Sequence, residues 1–176
     1  MEYSKAMTQK QLFARYAQDL KPGRLEWIGL RPARKQAMQV VDAAQALAGL
    51  GLEGDHRCCK TPGSARQVTL ISSEFIDLIE IYTGIKQIDP SSLRRNLVIS
   101  GINLNALRHQ LFSIGGAVFE ATALCHPCVR MDQALGKGGA ASMLGYGGLC
   151  ARILRSGRLQ LGDPLIPLGV EAGALS

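Results

Sequence analysis

The sequence contains no apolar run close to the ~18 residues that a membrane-spanning helix requires. Its first 20 residues mix five charged side chains with the apolar ones, and no signal-peptide core is present. Aromatic residues are only 5% of the chain, which argues against a stacking surface for single-stranded nucleic acid. The net charge of +6 comes from scattered residues and forms no dense basic block. These absences predict a cytoplasmic protein with neither a membrane nor a nucleic-acid partner.

The 176 residues contain five cysteines, an odd number in a chain long enough to fold without disulfides. Together with the missing signal, this count predicts free thiols in a reducing compartment. Hydrophobic residues make up 47% and charged residues 19%, which is the balance of one globular domain. The excess of basic residues suits an anionic ligand, such as a phosphate-bearing cofactor.

The hydrophobic pattern predicts a mostly β protein of the α+β class. Apolar side chains recur at helical spacing over residues 4–20, and Pro22-Gly23 ends this N-terminal helix. From Gly23 onward, short alternating segments predict eight or nine strands, with two or three short helices inserted. One of these helices is expected over Pro127 to Leu135, with proline at its first position. The connections are too short for an all-parallel sheet, so a distorted, mostly antiparallel barrel is expected.

The most distinctive local motif is Cys125-His126-Pro127-Cys128, between an apolar strand and the predicted helix. Free N–H groups at the start of a helix favour a thiolate there. Such a thiolate suits a metal ligand, a persulfide carrier or a redox dithiol, and the alternative is a pair of packed cysteines without chemistry.

Three chemistries compete for this motif. A thioredoxin-like redox site needs a βαβ fold. The segments after Cys128 are short and glycine-rich, so the sequence does not predict such a fold. A zinc site would need further ligands, and His56, Cys58 and Cys59 are the candidates, although adjacent cysteines suit one tetrahedral ion poorly. A soft metal such as molybdenum could be bound by a single thiolate.

Other segments are ambiguous when taken alone. Gly54-Asp55-His56-Arg57 is typical of a surface turn, although its side chains could face a site. Arginines such as Arg66 and Arg95 bind phosphate oxygens in a two-pronged manner, and Asn96 could recognise a ring amide. The glycines at Gly147-Gly148 are interpreted as simple turns.

Six segments in this order resemble the MOSC family, named for the C-terminal domain of molybdenum cofactor sulfurases. They are GLEGDH at 51–56, RQVTLIS at 66–72, RRNLVISGINL at 94–104, FSIGGAVFEAT at 112–122, CHPC at 125–128 and GGLCARILRSGRLQLGDPL at 147–165. The resemblance is to a stand-alone bacterial-type member and covers residues 23–168. It leaves the N-terminal helix at 1–22 and a tail at 169–176 outside. In the family Gly-Asp-x-His is common, whereas here His56 follows Asp55 directly.

The resemblance implies a MOSC-type β-barrel and a molybdenum pyranopterin cofactor with a terminal phosphate. Cys128 would be the catalytic thiolate, as molybdenum ligand or sulfur carrier. The implied cofactor-binding side chains are Arg66, Arg95, Asn96, Asp55, His56, Cys125 and His126.

Three functions are compatible with this resemblance. The first is reduction of N-hydroxylated compounds at a Cys128-ligated molybdenum, with electrons from a separate protein. The second is transfer of persulfide sulfur from Cys128 to a metal–sulfur cofactor, with a cysteine desulfurase as partner. The third is a non-catalytic carrier of the molybdenum cofactor.

Overall fold

A computed structural model describes residues 7–169 of the chain, and the bounds of its elements are as follows. The strands are β1 (Gly23–Leu30), β2 (Gln39–Val41), β3 (Ala43–Leu47), β4 (Gly51–Leu52), β5 (Val68–Ser72), β6 (Leu97–Ser100), β7 (Leu111–Ile114), β8 (Ala117–Leu124), β9 (Leu149–Arg155), β10 (Gly157–Gln160) and β11 (Pro164–Gly169). The α-helices are α1 (Gln9–Ala17), α2 (Ser73–Thr83), α3 (Pro90–Leu93), α4 (Arg130–Leu135) and α5 (Gly139–Ser142). Two 3-10 helices span His56–Cys59 and Leu104–Leu107.

Seven strands close into a barrel in the order β1-β11-β7-β8-β9-β5-β6, with β6 pairing back to β1. Strand β2 extends this sheet beyond β1, while β10, β3 and β4 form a separate small sheet. The neighbours are antiparallel except β5 and β6, which run parallel because α2 and α3 carry the chain across between them. The predicted mostly antiparallel barrel is therefore confirmed.

The structure has more strands and helices than predicted, and the additional ones are short. Within residues 7–169 there are eleven strands rather than eight or nine, and four α-helices follow the first one rather than two or three. The additional elements are short: β4 has two residues, and α3 and α5 have four each. A single turn or a two-residue bridge is too short to show a hydrophobic period, so only tertiary pairing reveals it.

The N-terminal helix is shorter than predicted, spanning Gln9–Ala17 instead of residues 4–20. It begins at a capping box, in which the Thr8 side chain accepts a hydrogen bond from the Gln11 backbone N–H. Residues 4–6 of the prediction and residues 170–176 of the predicted tail lie outside the described residues. None of the helices within residues 7–169 is long and apolar enough to cross a bilayer.

The barrel interior is filled by aliphatic side chains and one aromatic pair. Phe112 on β7 stacks on Phe119 on β8 with ring centroids 5.2 Å apart, and both are fully buried. Full burial of such a side chain stabilises the fold by roughly 1.5–3 kcal/mol. The rigid barrel supports the segments that form the site, namely the residues after β1, before β5, before β6 and after β8.

Candidate functional site

Cys128 is an exposed free thiol on the loop between β8 and α4, and it lines a cavity of about 170 Å³. The prediction that a helix begins at Pro127 is wrong, because α4 begins at Arg130. The Cys128 carbonyl accepts a hydrogen bond from the Met131 N–H at 2.8 Å, and this turn precedes the helix. Cys128 therefore lies just outside α4, and the other side chains around the cavity form its electrostatic surroundings.

Cationic side chains surround this thiol. Those that line the cavity are Arg31, Arg34, Lys35, Arg66, Arg94, Arg95 and Arg130, together with His56. No carboxylate lines the cavity within the part of the chain that the structure describes. This excess of positive charge attracts anionic ligands.

The buried carboxylate of Asp55 anchors one of these cations. Its Oδ2 accepts hydrogen bonds from the backbone N–H and the Nε of Arg31, both at 3.0 Å. Its Oδ1 accepts the Arg57 N–H at 2.9 Å and lies 3.4 Å from the Nδ1 of His56. Burial alone would raise the pKa of Asp55, but Arg31 and these backbone N–H groups outweigh it and hold the pKa below its ordinary value.

Asn96 connects this anchor to the barrel. Its Nδ2 donates to Asp55 Oδ2 at 2.8 Å and to the Gly29 carbonyl at 3.0 Å. Its Oδ1 accepts hydrogen bonds from Arg31 Nη2 and from Thr69. Asn96 is buried and its amide is fully occupied, so it supports the wall of the site from behind.

Arg95 has a similar supporting position on the other side of the cavity. Its buried guanidinium donates from Nε to the Gly147 carbonyl at 2.8 Å and from Nη1 to the Leu93 carbonyl at 2.9 Å. Its Nη2 lies 3.5 Å from the Cys125 carbonyl, so the residue links α3, the loop before β9 and the cysteine loop. Burial lowers the pKa of Arg95, while the thiols of the cysteine loop and of Cys150 counteract this shift.

The predicted site residues differ in whether they line the cavity or support its wall from behind. Arg66 and His56 line the cavity with Cys128, whereas Asp55 and Asn96 lie behind the wall, and Arg95 both lines the cavity and supports its neighbours. His126 is exposed and does not line this cavity.

Cys125 is buried against Cys150 of β9, and the sequence analysis did not identify Cys150. The Cys125 N–H donates to the Gly148 carbonyl at 2.7 Å, which extends the contact between β8 and β9 by one residue beyond the strands. Interaction with the Cys150 thiol, helped by the charge of Arg95, lowers the pKa of Cys125 despite its burial. The same interaction raises the pKa of the Cys150 thiol. The C-x-x-C motif therefore has one buried and one exposed thiol, on a barrel rather than the βαβ fold of thioredoxin.

Five further side chains line the cavity and were not predicted as site residues, although Arg94 belonged to a predicted motif: Arg31, Arg34, Lys35, Arg94 and Arg130. Arg130 could have been noticed because it follows Cys128 by two residues, and Arg94 because it begins a predicted motif. Arg31, Arg34 and Lys35 follow β1 and reach the cavity only through the folding of the barrel.

A second and larger cavity, of about 730 Å³, adjoins the first and shares Arg31, His56 and Arg66 with it. Its remaining lining comes from Arg57, Lys60, the turn at 61–64 and the start of β5. The three shared side chains form a common wall, and the two cavities are together called the cationic groove, with Cys128 in its smaller part.

The zinc alternative lacks its ligands in the structure. Within residues 7–169 no three His, Cys, Asp or Glu side chains come together to hold a metal ion. Cys58 donates to the Leu52 carbonyl at 3.0 Å, and burial and the charge of Asp55 raise the pKa of its thiol. Neither Cys58 nor Cys59 lines the groove.

Comparisons with known proteins agree with this architecture. The family model of the MOSC domain matches residues 56–166. Among solved structures, YuaD from Bacillus subtilis is 19% identical with a TM-score of 0.71, covering 84% of this chain and 96% of its own. YiiM from Geobacillus stearothermophilus is 16% identical with a TM-score of 0.69, covering 88% and 80%. YiiM from Escherichia coli is 18% identical with a TM-score of 0.63, covering 83% and 70%. No curated protein matches the chain in sequence.

Proposed function

Since the chain belongs to the MOSC domain family, which is associated with molybdenum cofactor binding, we propose that it binds a molybdenum pyranopterin with Cys128 as the protein ligand. We further propose that it reduces N-hydroxylated compounds there with electrons from a separate donor protein. The observation that carries this proposal is an exposed thiol in a cavity lined by cationic side chains.

The residues present fit such a group in size and in chemistry. A thiolate is a suitable ligand for a soft metal, and arginines match the oxygens of a phosphate. The larger cavity, at about 730 Å³, is within the range of roughly 300–1,000 Å³ that small-molecule sites occupy. Arg57, Lys60 and Arg66 line it and would hold the anionic end of the cofactor.

The side chains of this protein would donate a proton and hold the wall of the site in place. Bound molybdenum supplies two-electron redox chemistry. Overall, a nitrogen–oxygen bond breaks, two electrons and two protons are taken up, and the oxygen leaves as water. His56 lines both cavities and contacts Asp55 and the Arg31 carbonyl, and its imidazole would act as the proton donor. Asn96, Asp55 and Arg95 keep the wall rigid around these groups.

We expect wild-type protein, made in a host that synthesises molybdenum cofactor, to retain molybdenum and pterin at close to one per chain. Cys128→Ala should lose most of the molybdenum, because no other thiol lines the cavity among the described residues. Elemental analysis measures the metal, and fluorescence after oxidation measures the pterin. Cys59→Ala is the matched control, since Cys59 is exposed but lies outside the groove. Absence of both components from wild-type protein would contradict the proposal.

A sulfur-carrier function is the second candidate, and the exposure of Cys128 favours it because a donor protein could reach the thiol. In this case a persulfide on Cys128 would be formed by a desulfurase and passed to an acceptor. Incubation with a cysteine desulfurase and cysteine should then add the mass of one sulfur atom to wild-type protein and to Cys59→Ala, but not to Cys128→Ala. Intact mass spectrometry makes this measurement.

A further inference from the structure

Four cations near Cys128 are not accounted for by the proposed cofactor. Arg31, His56 and Arg66 are shared between the two cavities. The smaller cavity alone also has Arg95, whose guanidinium is bonded to backbone carbonyls, and the four cations Arg34, Lys35, Arg94 and Arg130. At about 170 Å³ the smaller cavity is below the usual size of a cofactor site, so it has room for only one small group beside the thiol.

None of these four side chains forms an ion pair with a carboxylate among the described residues. Burial lowers the pKa of Arg94, and repulsion from Arg31 and Arg130 lowers it further, while the charge of Asp55 opposes this shift only in part. An anion placed among these side chains would relieve that repulsion.

The backbone also fixes two of the four positions. Arg94 and Lys35 adopt left-handed conformations, with φ of 57° and 66°, that non-glycine residues seldom adopt. Arg94 is further held by a hydrogen bond from its Nη1 to the Gln36 carbonyl at 2.7 Å. This bond ties the segment after β1 to the end of α3, so the cationic side of the cavity is organised before a ligand arrives.

We propose that Arg34, Lys35, Arg94 and Arg130 form an anion-selecting subsite, and that the substrates presented to Cys128 carry a carboxylate or phosphate group. The choice of substrate rests on the proposed function, whereas the charge selectivity is a property of the cavity itself. Several cations around one thiol raise the local concentration of anionic reactants and lower that of cationic ones.

The charge selectivity can be measured without any cofactor by alkylating the purified apo-protein. Iodoacetate and iodoacetamide both transfer a carbon to the thiolate sulfur with loss of iodide, but only iodoacetate is an anion. Rates at Cys128 are obtained by peptide mass spectrometry, and the ratio of the iodoacetate rate to the iodoacetamide rate reports the selectivity. We expect Arg34→Gln/Arg130→Gln to lower this ratio roughly tenfold at low ionic strength, and added salt to reduce the wild-type ratio.

Two controls test whether a change in the Cys128 ratio comes from the cations of the smaller cavity. Cys59 is exposed outside the groove, so its ratio should be the same in wild type and variant. Arg155→Gln/Arg158→Gln removes the same number of charges at exposed positions that line neither cavity, and it should leave the Cys128 ratio close to that of the wild type. Equal ratios in the two double variants would overturn the subsite.

Turnover then tests the substrate class. Cofactor-loaded protein is given two N-hydroxylated compounds that differ only by one carboxylate, with a chemical electron donor. We expect a higher kcat/KM for the carboxylate and loss of that preference in Arg34→Gln/Arg130→Gln. Equal kcat/KM values in wild-type protein would overturn the proposed preference. Reduction of neither compound would overturn the proposed function, and the alkylation ratios would still decide the anion subsite.

Discussion

Asp55→Asn is expected to lower the free energy of unfolding by about 3 kcal/mol, because it leaves Arg31 without its partner in a largely buried position. The Arg31 side chain is 15% exposed and the Asp55 side chain 1%. Both carboxylate oxygens of Asp55 accept hydrogen bonds, Oδ2 from Arg31 and Asn96 and Oδ1 from the Arg57 N–H. An asparagine offers one oxygen and one NH₂ group, so at least one buried donor would face another donor.

The measurement is urea unfolding, with the midpoint lowered and the slope unchanged. Arg24→Gln is the comparison, since Arg24 and Glu26 form an exposed ion pair with side chains 66% and 41% accessible. Loss of that pair should cost less than about 1 kcal/mol. A similar small loss in both variants would contradict the anchoring role of Asp55.

The same carboxylate predicts how stability depends on pH. The pKa of Asp55 is lowered by folding from an ordinary value of 3.8, so its ionised form is favoured in the native state. Its contribution is therefore fully present above pH 3.8 and is lost as the pH falls from 3.8 through the lower folded pKa. The difference in unfolding free energy between wild type and Asp55→Asn should shrink over that acidic range and stay constant above it. A constant difference throughout would contradict this linkage.

Sequence patterns predicted the barrel because each strand carries its own signal. Segments such as Val68–Ser72 alternate or concentrate β-branched residues, and these local preferences agree with the final topology. The Cys128 thiol was also identified locally, from its motif. The helix after it was misplaced because proline at Pro127 suggested a first helical turn, whereas the chain makes one more turn before α4.

The supporting contacts of the site could not be predicted in this way. Asn96 is bonded to Gly29 across 67 positions and to Asp55 across 41. Arg31 reaches Asp55 across 24 positions. No spacing or period in the sequence relates these residues, since they meet only when β1 and β6 pair in the closed barrel. Asn96, predicted from the sequence as a cofactor-binding residue, has its amide occupied by these long-range hydrogen bonds.

The role of the two glycines before β9 also depends on long-range contacts that the sequence does not reveal. They were interpreted as simple turns, but both Gly147 and Gly148 are buried at a close approach of three segments. A Cβ on Gly148 would overlap the carbonyl oxygen of Leu70, and one on Gly147 would overlap that of Cys125. Their own carbonyls accept hydrogen bonds from Cys125 and Arg95, so the pair positions the cysteine loop.

We expect Gly148→Ala to lower the free energy of unfolding by about 3 kcal/mol or more. Two effects of about 1–3 kcal/mol each combine, namely the strain of a side chain at φ 90° and overpacking against β5. Gly145→Ala separates them, because Gly145 has a φ of 81° in the same loop and no atom within 4 Å of its would-be Cβ. That variant should show the strain alone, at about 1–2 kcal/mol. Equal losses in the two variants, measured by urea unfolding, would contradict the close approach.

Gly148→Ala should also change the chemistry of the cysteine loop, because relief of the overlap with Leu70 must displace the backbone that receives the Cys125 N–H. Cys125 is buried in the native protein, so iodoacetamide should modify it far more slowly than Cys128. In folded Gly148→Ala we expect the Cys125 rate to rise towards that of Cys128, whereas in Gly145→Ala it should stay slow. Working well below the unfolding midpoint of each variant keeps global unfolding from supplying the exposed thiol. An unchanged Cys125 rate in folded Gly148→Ala would show that the glycine pair serves the stability of the barrel and does not position the loop that carries Cys128.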